Sequence, residues 1–418
     1  MLTPPRLKND CFALPPGVDW TPVDEALDRL RKALRPVVAT EVLPTSRAGG
    51  RVLAAPAIAA RANPPAANSA VDGFGFAHAS TGDGDQVLPL IDGRAAAGVP
   101  FPGEVPPGHA IRILTGAILP KGVDTVVLEE DTSTDGARVA FEGPLKKGAN
   151  TREAGEDVGA GEVAQSAGMR LGPPELAILA ATGVTRVEVF KPLRVGVLST
   201  GDEIVPSGSE PDVARTYDAN RPMLLELIRD WWFQAIDLGH VGDNPEALRA
   251  CLDGAVGQVD AILTSGGASA GDEDHVSALL KATGSLADWR IALKPGRPLA
   301  LGVWDGVPVF GLPGNPVAAL VCTMIFARPA FGCLGGEGWR VPQGFDVPAG
   351  FEKDKKPGRR EYLRARINAQ GAAEVFQSEG SGRISGLAWA DGLVEIGDGA
   401  RLIRPGDPVR YLPYASFR

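Results

Sequence analysis

Acidic and basic side chains gather in a few glycine-rich stretches of this chain, in a pattern suited to chemistry on phosphates. Four segments stand out: 199–203 (Ser-Thr-Gly-Asp-Glu), 264–274 (Thr-Ser-Gly-Gly-Ala-Ser-Ala-Gly-Asp-Glu-Asp), 294–298 (Lys-Pro-Gly-Arg-Pro) and 311–316 (Gly-Leu-Pro-Gly-Asn-Pro). The second and fourth run into predicted helix starts, where unpaired N–H groups and the helix dipole favour an anion. Lys294 and Arg297 add fixed positive charge, and Asp202, Glu203, Asp243, Asp272 and Asp274 supply carboxylates. Carboxylates beside a phosphate site hold Mg²⁺ through oxygen ligands, and a bridging cation relieves their mutual repulsion. Any one of these acids reads equally well as a cap or turn residue. Four such loops together, with acids and bases segregated, point to a site. Neither a GxGxxG nor a Walker A sequence occurs, which counts against dinucleotide dehydrogenases and P-loop ATPases.

These loops need strands and helices to aim them. Residues 193–198, 235–240, 259–264 and 307–312 read as apolar strands. They alternate with predicted helices over 221–233, 245–256, 272–282 and 316–326. Asn220, Asn244 and Asn315 stand at cap positions, and Pro245 at a first helical position. Strand–helix alternation over about 140 residues is the signature of a doubly wound, mostly parallel α/β sheet, which binds ligands at the carboxyl ends of its strands. Upstream, 1–20 is a Pro-rich arm, 21–34 a helix, 37–60 strand–turn–strand, 62–155 a Gly/Pro-rich β module, and 173–183 a short helix. After residue 335 short strand-like runs at 361–367, 393–396 and 408–412 suggest a small barrel or sandwich.

A formal net charge of −9 over 418 residues argues against a general nucleic-acid binder. Cys11, Cys251, Cys322 and Cys333 form no CxxC pair, and four scattered histidines give no zinc motif. No basic segment followed by an apolar run opens the chain, and the longest apolar stretch, about 317–331, is interrupted by Arg328 and Pro329 and looks too short to span a bilayer. The expectation is a cytoplasmic protein with no membrane partner.

Taken together the motifs resemble the MoeA family of molybdopterin molybdenumtransferases, which includes the E-domain of gephyrin. They run in order through Asn68–Phe74, Arg112–Ala117, Glu129–Asp131, Arg152 with Gly155-Glu156-Asp157, Ser199–Glu203, Tyr217–Asn220, Ser265–Asp274, Lys294–Pro298, Gly311–Pro316, Gly358–Arg364 and Gly380-Ser381. The resemblance implies a multidomain α/β plus β architecture. Its parts are an arm (1–20), an elongated discontinuous connector (21–61 and 156–191), an inserted β-rich module (62–155), an α/β molybdopterin-binding domain (192–335) and a C-terminal β-barrel (336–418). It also implies a homodimer with the active site shared between the α/β domain of one subunit and the inserted module of the other. The substrates are adenylylated molybdopterin and molybdate, the products molybdenum cofactor and AMP, and the reaction needs Mg²⁺ or a similar divalent cation. Partners extend to a molybdopterin adenylyltransferase and apo-molybdoenzymes. Departures include Ala67, Val71, Phe74 and Glu273, and an arginine, Arg290, where lysine is common.

On this reading Asp72, Glu203, Asp274 and Lys294 are catalytic, and Glu203, Asp243 and Asp274 hold the metal. Substrate is bound by Thr115, Arg152, Asp157, Thr200, Gly201, Ser265, Gly266, Gly267, Ser269, Arg290, Arg297, Pro313, Gly314, Asn315 and Ser381. Lys294, Arg290 and Arg297 gather the phosphates and molybdate. Arg152 and Asp157 read equally as an ion pair joining domains. The rivals are a molybdopterin adenylyltransferase, a diverged paralogue inserting tungstate, and a non-catalytic cofactor-binding scaffold. The first is opposed by residues 21–190 and the C-terminal segment, the last by the retained Asp72, Glu203, Asp274 and Lys294.

Overall fold

The computed structural model describes residues 20–210, 213–266, 275–282, 287–289, 291–296 and 299–418. The chain forms two compact units, one of Met1–Glu41 with Phe190–Arg418, the other of Val42–Val189.

The larger unit is built on a six-stranded sheet. Arg194–Thr200, Gln234–Val241, Ala261–Ser265 and Val307–Leu312 run parallel, in the order 234–241, 194–200, 261–265, 307–312. Leu299–Trp304 and Ala287–Trp289 then extend it antiparallel. The central strands are apolar on both faces, as expected of a sheet covered on both sides. Side chains alternate: Ala261 and Leu263 join one core with Phe310, Leu312 and Phe331, while Ile262 and Val309 join a second with Leu248, Leu252 and Leu280. The two antiparallel strands were not expected. Because Leu299–Trp304 runs backwards, it starts at the edge where the parallel strands end, pairing Ala300 with Gly311.

Asn244 caps the Pro245–Ala255 helix as expected, accepting from Glu246 N and Ala247 N. Asn220 does not act as a cap. It lies inside the Asn220–Asp230 helix and points its amide elsewhere. The apolar stretch also differs from expectation. Pro316–Leu334 is one helix of 19 residues, carried past Arg328 by a π turn at Thr323–Ala327. It is long and apolar enough to cross a membrane, but 94% of it is buried inside the fold. Arg328 is buried with it, paired to Glu337 at 3.0 Å and packed over Trp231 and Phe233.

A second six-stranded sheet, five of its strands beyond residue 335, runs in the order Leu293–Lys294, Arg360–Ile367, Gly392–Ile396, Pro408–Pro413, Phe345–Pro348, with Ala373–Val375 also on Arg360–Ile367. Its parallel pairing of Lys294 with Glu361 ties it to the α/β sheet's loops. The Val23–Ala33 helix buries Val23, Ala26 and Leu30 in the α/β core. It thus packs with that domain, although the sequence reading groups it with the connector.

The smaller unit contains several hydrophobic clusters, two of them the largest. One gathers Leu53, Leu171, Leu179, Val187 and Val189. The other, with Phe74, Phe76, Val127 and Phe141, fills a six-stranded sheet ordered 125–128, 73–76, 110–113, 84–95, 138–143, 133–134.

Candidate functional site

At the carboxyl edge of the parallel strands lies a cleft of about 670 Å³. It is lined by Ser199, Thr200 and Glu203 from the first loop, Asp218 and Asn220 at the next helix start, Ser265 and Gly266, and Gly314 and Asn315. Strand ends place the hydroxyls here: Thr200 closes one strand and Ser265 its parallel neighbour. Gly266 follows with φ 102°, and a Cβ there would meet Thr200 O at 2.7 Å, so only glycine keeps the two loops this close. Asn220 Nδ2 donates to Ser265 Oγ and to Gly314 O, both at 2.7 Å, joining three loops.

Several oxygens in this cleft have no hydrogen-bond partner among the described residues. Ser199 Oγ, Thr200 Oγ1 and Asn220 Oδ1 are buried and unsatisfied, a state that costs free energy unless something binds. Asp218 is spoken for, accepting from Arg221 N and Nε. The exposed Glu203 carboxylate has no hydrogen-bond or ion-pair partner among the described residues. These are hard oxygen donors of the kind a divalent cation takes. Asp243 stands off to the side, in reciprocal bonds with Asp202: Asp202 N donates to Asp243 Oδ2 and Asp243 N to Asp202 Oδ1. No group of three His, Cys, Asp or Glu side chains close enough to hold a metal occurs among the described residues. Gly267, Ser269, Asp272, Asp274, Arg290 and Arg297 lie outside the described residues.

The fourth loop departs from expectation. Pro316 has no N–H to offer, and Val317 N already donates to Ser381 O at 3.3 Å, so the helix start is partly occupied by the chain itself. Asn315 makes no cap bond. Ser381 belongs to a loop whose carbonyls at Ser378, Gly380 and Arg383 are gripped by the buried Arg364 guanidinium. Gly382 and Ile384 of the same loop line the cleft.

Lys294 is not the free cation that the sequence suggests. Its Nζ lies 2.6 Å from Glu379 and 3.3 Å from Glu361. Lys353 contacts the same two acids, at 3.0 Å from Glu361. Lysine and glutamate thus alternate around a four-membered ring facing a separate pocket of about 190 Å³. Lys353 and Glu379 were missed from the sequence. Strand register sets Lys294 beside Glu361, and a neighbouring strand and the 378–384 loop bring Lys353 and Glu379 to them.

In the smaller unit, Asp72 Oδ1 accepts from Thr115 N at 2.6 Å and Thr115 Oγ1 at 2.7 Å. These bonds hold its carboxyl below the usual range. Arg112 stands beside it, paired with Glu129 and stacked over Phe74. Arg152 and Asp157 form no ion pair with each other. Asp157 instead accepts from Asn63 Nδ2 at 2.8 Å, and Arg152 is exposed.

Three family models match in order along the chain: the MoeA N-terminal region (domain I and II) at 21–183, a probable molybdopterin binding domain at 196–332, and the MoeA C-terminal region (domain IV) at 346–414. The chain belongs to the MoeA family. It is 36% identical to the molybdopterin molybdenumtransferase of Haemophilus influenzae, covering 84% of this chain and 88% of that one. It is 31% identical to the enzyme of that name from Nostoc sp., covering 89% and 88%. Among solved structures, the molybdopterin biosynthesis MoeA protein of Pyrococcus horikoshii superimposes with a TM-score of 0.81 at 27% identity, covering 95% of this chain and 100% of that one. The MoeA architecture of these neighbours matches the multidomain α/β class expected from the sequence.

Proposed function

We propose that this MoeA-family chain is a molybdopterin molybdenumtransferase that inserts molybdate into adenylylated molybdopterin, releasing AMP and molybdenum cofactor. The observation that carries the reading is the strand-edge cleft. Buried oxygens of Ser199, Thr200 and Asn220 stand there beside Glu203, all of them without side-chain partners among the described residues. Relatives at 36% and 31% identity, named for this activity, support the same reading.

In this mechanism the chain binds and orients an anionic substrate. Asn220 holds the Ser265 and Gly314 loops at a fixed separation, so the phosphate end meets preorganised donors. Ser199 and Thr200 hydroxyls donate to its oxygens. Mg²⁺ held by Glu203 with Asp243 and Asp274 would supply positive charge to the scissile phosphate. Lys294 and the arginines Arg290 and Arg297 gather oxyanions. Asp72, oriented by its hydrogen bonds from Thr115, and Arg152 and Asp157 act from the inserted module of a second subunit in a homodimer. The domain limits belong to this reading: arm 1–20, connector 21–61 and 156–191, module 62–155, molybdopterin-binding domain 192–335, and C-terminal barrel 336–418. So do a cytoplasmic location and hand-over partners, a molybdopterin adenylyltransferase upstream and apo-molybdoenzymes downstream.

The test is incubation with adenylylated molybdopterin, molybdate and Mg²⁺, followed by AMP release and reconstitution of an apo-molybdoenzyme. AMP release that depends on molybdate is the expected result. Binding of the pterin without turnover under any divalent cation overturns the reading in favour of a scaffold. Light scattering tests the homodimer, and full activity in a stable monomer overturns that part.

A further inference from the structure

We infer that Glu379 is an internal competitor for a tetrahedral oxyanion at the Lys294–Lys353 pair. Its carboxylate occupies the anion's place until substrate displaces it. The inference rests on the reading above that such anions are substrates.

Charge and exposure separate the two acids of the ring. Glu361 is a strand residue, cross-paired with Lys294, and its side chain is only 9% exposed. It is a permanent counter-ion. Glu379 lies on the 378–384 loop with its side chain 45% exposed, lining the pocket. It bridges the lysines, one carboxylate oxygen to each: Oε2 to Lys294 and Oε1 to Lys353. Two cations against Glu361 leave one positive charge uncompensated, and Glu379 supplies the balance. A tetrahedral dianion presents two oxygens in the same way and carries more charge. With the lysines 22% and 11% exposed, both ammonium groups are already gathered for it.

Exchange asks little of the fold. Arg364 fixes the loop by its carbonyls, not by the Glu379 side chain, so the carboxylate can swing to solvent while the backbone stays. The same loop contributes Gly382 and Ile384 to the cleft. Glu379 therefore sets the affinity of a cationic pocket adjoining the substrate cleft. Glu352 also lines the pocket but pairs with neither lysine among the described residues, which makes it a built-in control.

The experiment is calorimetric titration of the full chain with molybdate alone, and separately with inorganic phosphate, beside melting curves. Glu379→Gln should bind one or both anions about tenfold more tightly than wild type. Glu352→Gln should leave both affinities unchanged. Lys353→Met in the Glu379→Gln background should abolish the gain. A gain for molybdate assigns the pocket to the metal oxyanion, and a gain for phosphate assigns it to the nucleotide end. No gain for either anion in a folded Glu379→Gln protein overturns the inference, as does an equal gain in Glu352→Gln. No pterin enters the titration, so loss of turnover in wild type would count against the enzyme reading alone.

Discussion

Asn220 donates its side-chain amide to Ser265 Oγ at 2.7 Å, so a helix residue fixes where a neighbouring strand ends. The same nitrogen reaches Gly314 O. Replacing it by alanine strands a buried hydroxyl and a carbonyl. Asn220→Ala should cost about 1–3 kcal/mol in urea unfolding and raise KM for the pterin substrate. Stability and KM both at wild-type values would show that the loops are positioned by something else.

Glu203→Gln preserves shape and removes the exposed carboxylate of the cleft, which has no partner among the described residues. AMP release should fall by about a hundredfold or more, as expected when a cation site loses its charge, while the melting temperature stays unchanged. Turnover within about twofold of wild type would reduce Glu203 to a turn residue.

Lys294→Ala has two expected effects. Oxyanion binding should weaken by roughly ten- to a hundredfold through loss of a charge-assisted hydrogen bond. Stability should also fall, by about 1–2 kcal/mol, because buried Glu361 is left with Lys353 as its remaining partner. A melting curve identical to wild type would mean the ring contributes nothing to the fold.

Asp24 and Arg360 pin the first helix to the C-terminal sheet through paired bonds at 2.7 Å. The hydrogen bond from Arg360 holds the Asp24 carboxyl below the usual range. A carboxyl depressed by folding stabilises above its unfolded value, and the contribution is lost as pH falls through the folded value. Asp24→Asn should therefore cost about 0.5–1 kcal/mol at neutral pH, a figure scaled to the 74% exposure of Asp24. The gap to wild type should close below about pH 4. A gap that persists undiminished to the acid limit would mean that charge plays no part.

The parallel strands, the Asn244 cap and the loops at their carboxyl edge were legible in the sequence because each depends on local signals: apolar runs, cap residues and glycines. The antiparallel pair 287–289 and 299–304 was not, since a short apolar run carries no mark of its direction. The same limit hid Lys353 and Glu379. They lie 59 and 85 residues from Lys294, and only tertiary packing of strands and the 378–384 loop assembles the ring. A lysine's partner across a sheet cannot be read from its neighbours. Asn220 shows the reverse error: a residue type that favours caps was taken as one, while tertiary bonds claimed its amide.

The Pro316–Leu334 helix has a consequence for how the chain is made. Emerging from a ribosome, this 19-residue, mostly apolar helix looks like a membrane span to any factor that sorts nascent chains by hydrophobicity. Most of what buries this helix, including Val195, Leu224, Leu263 and Phe310, has been synthesised before it appears. Tyr362, Leu393, Leu412 and Phe417 come after. Vectorial synthesis thus delivers the helix to a waiting sheet and leaves its last partners to the final residues. A truncation before Phe417 should turn a core helix into a sticky one.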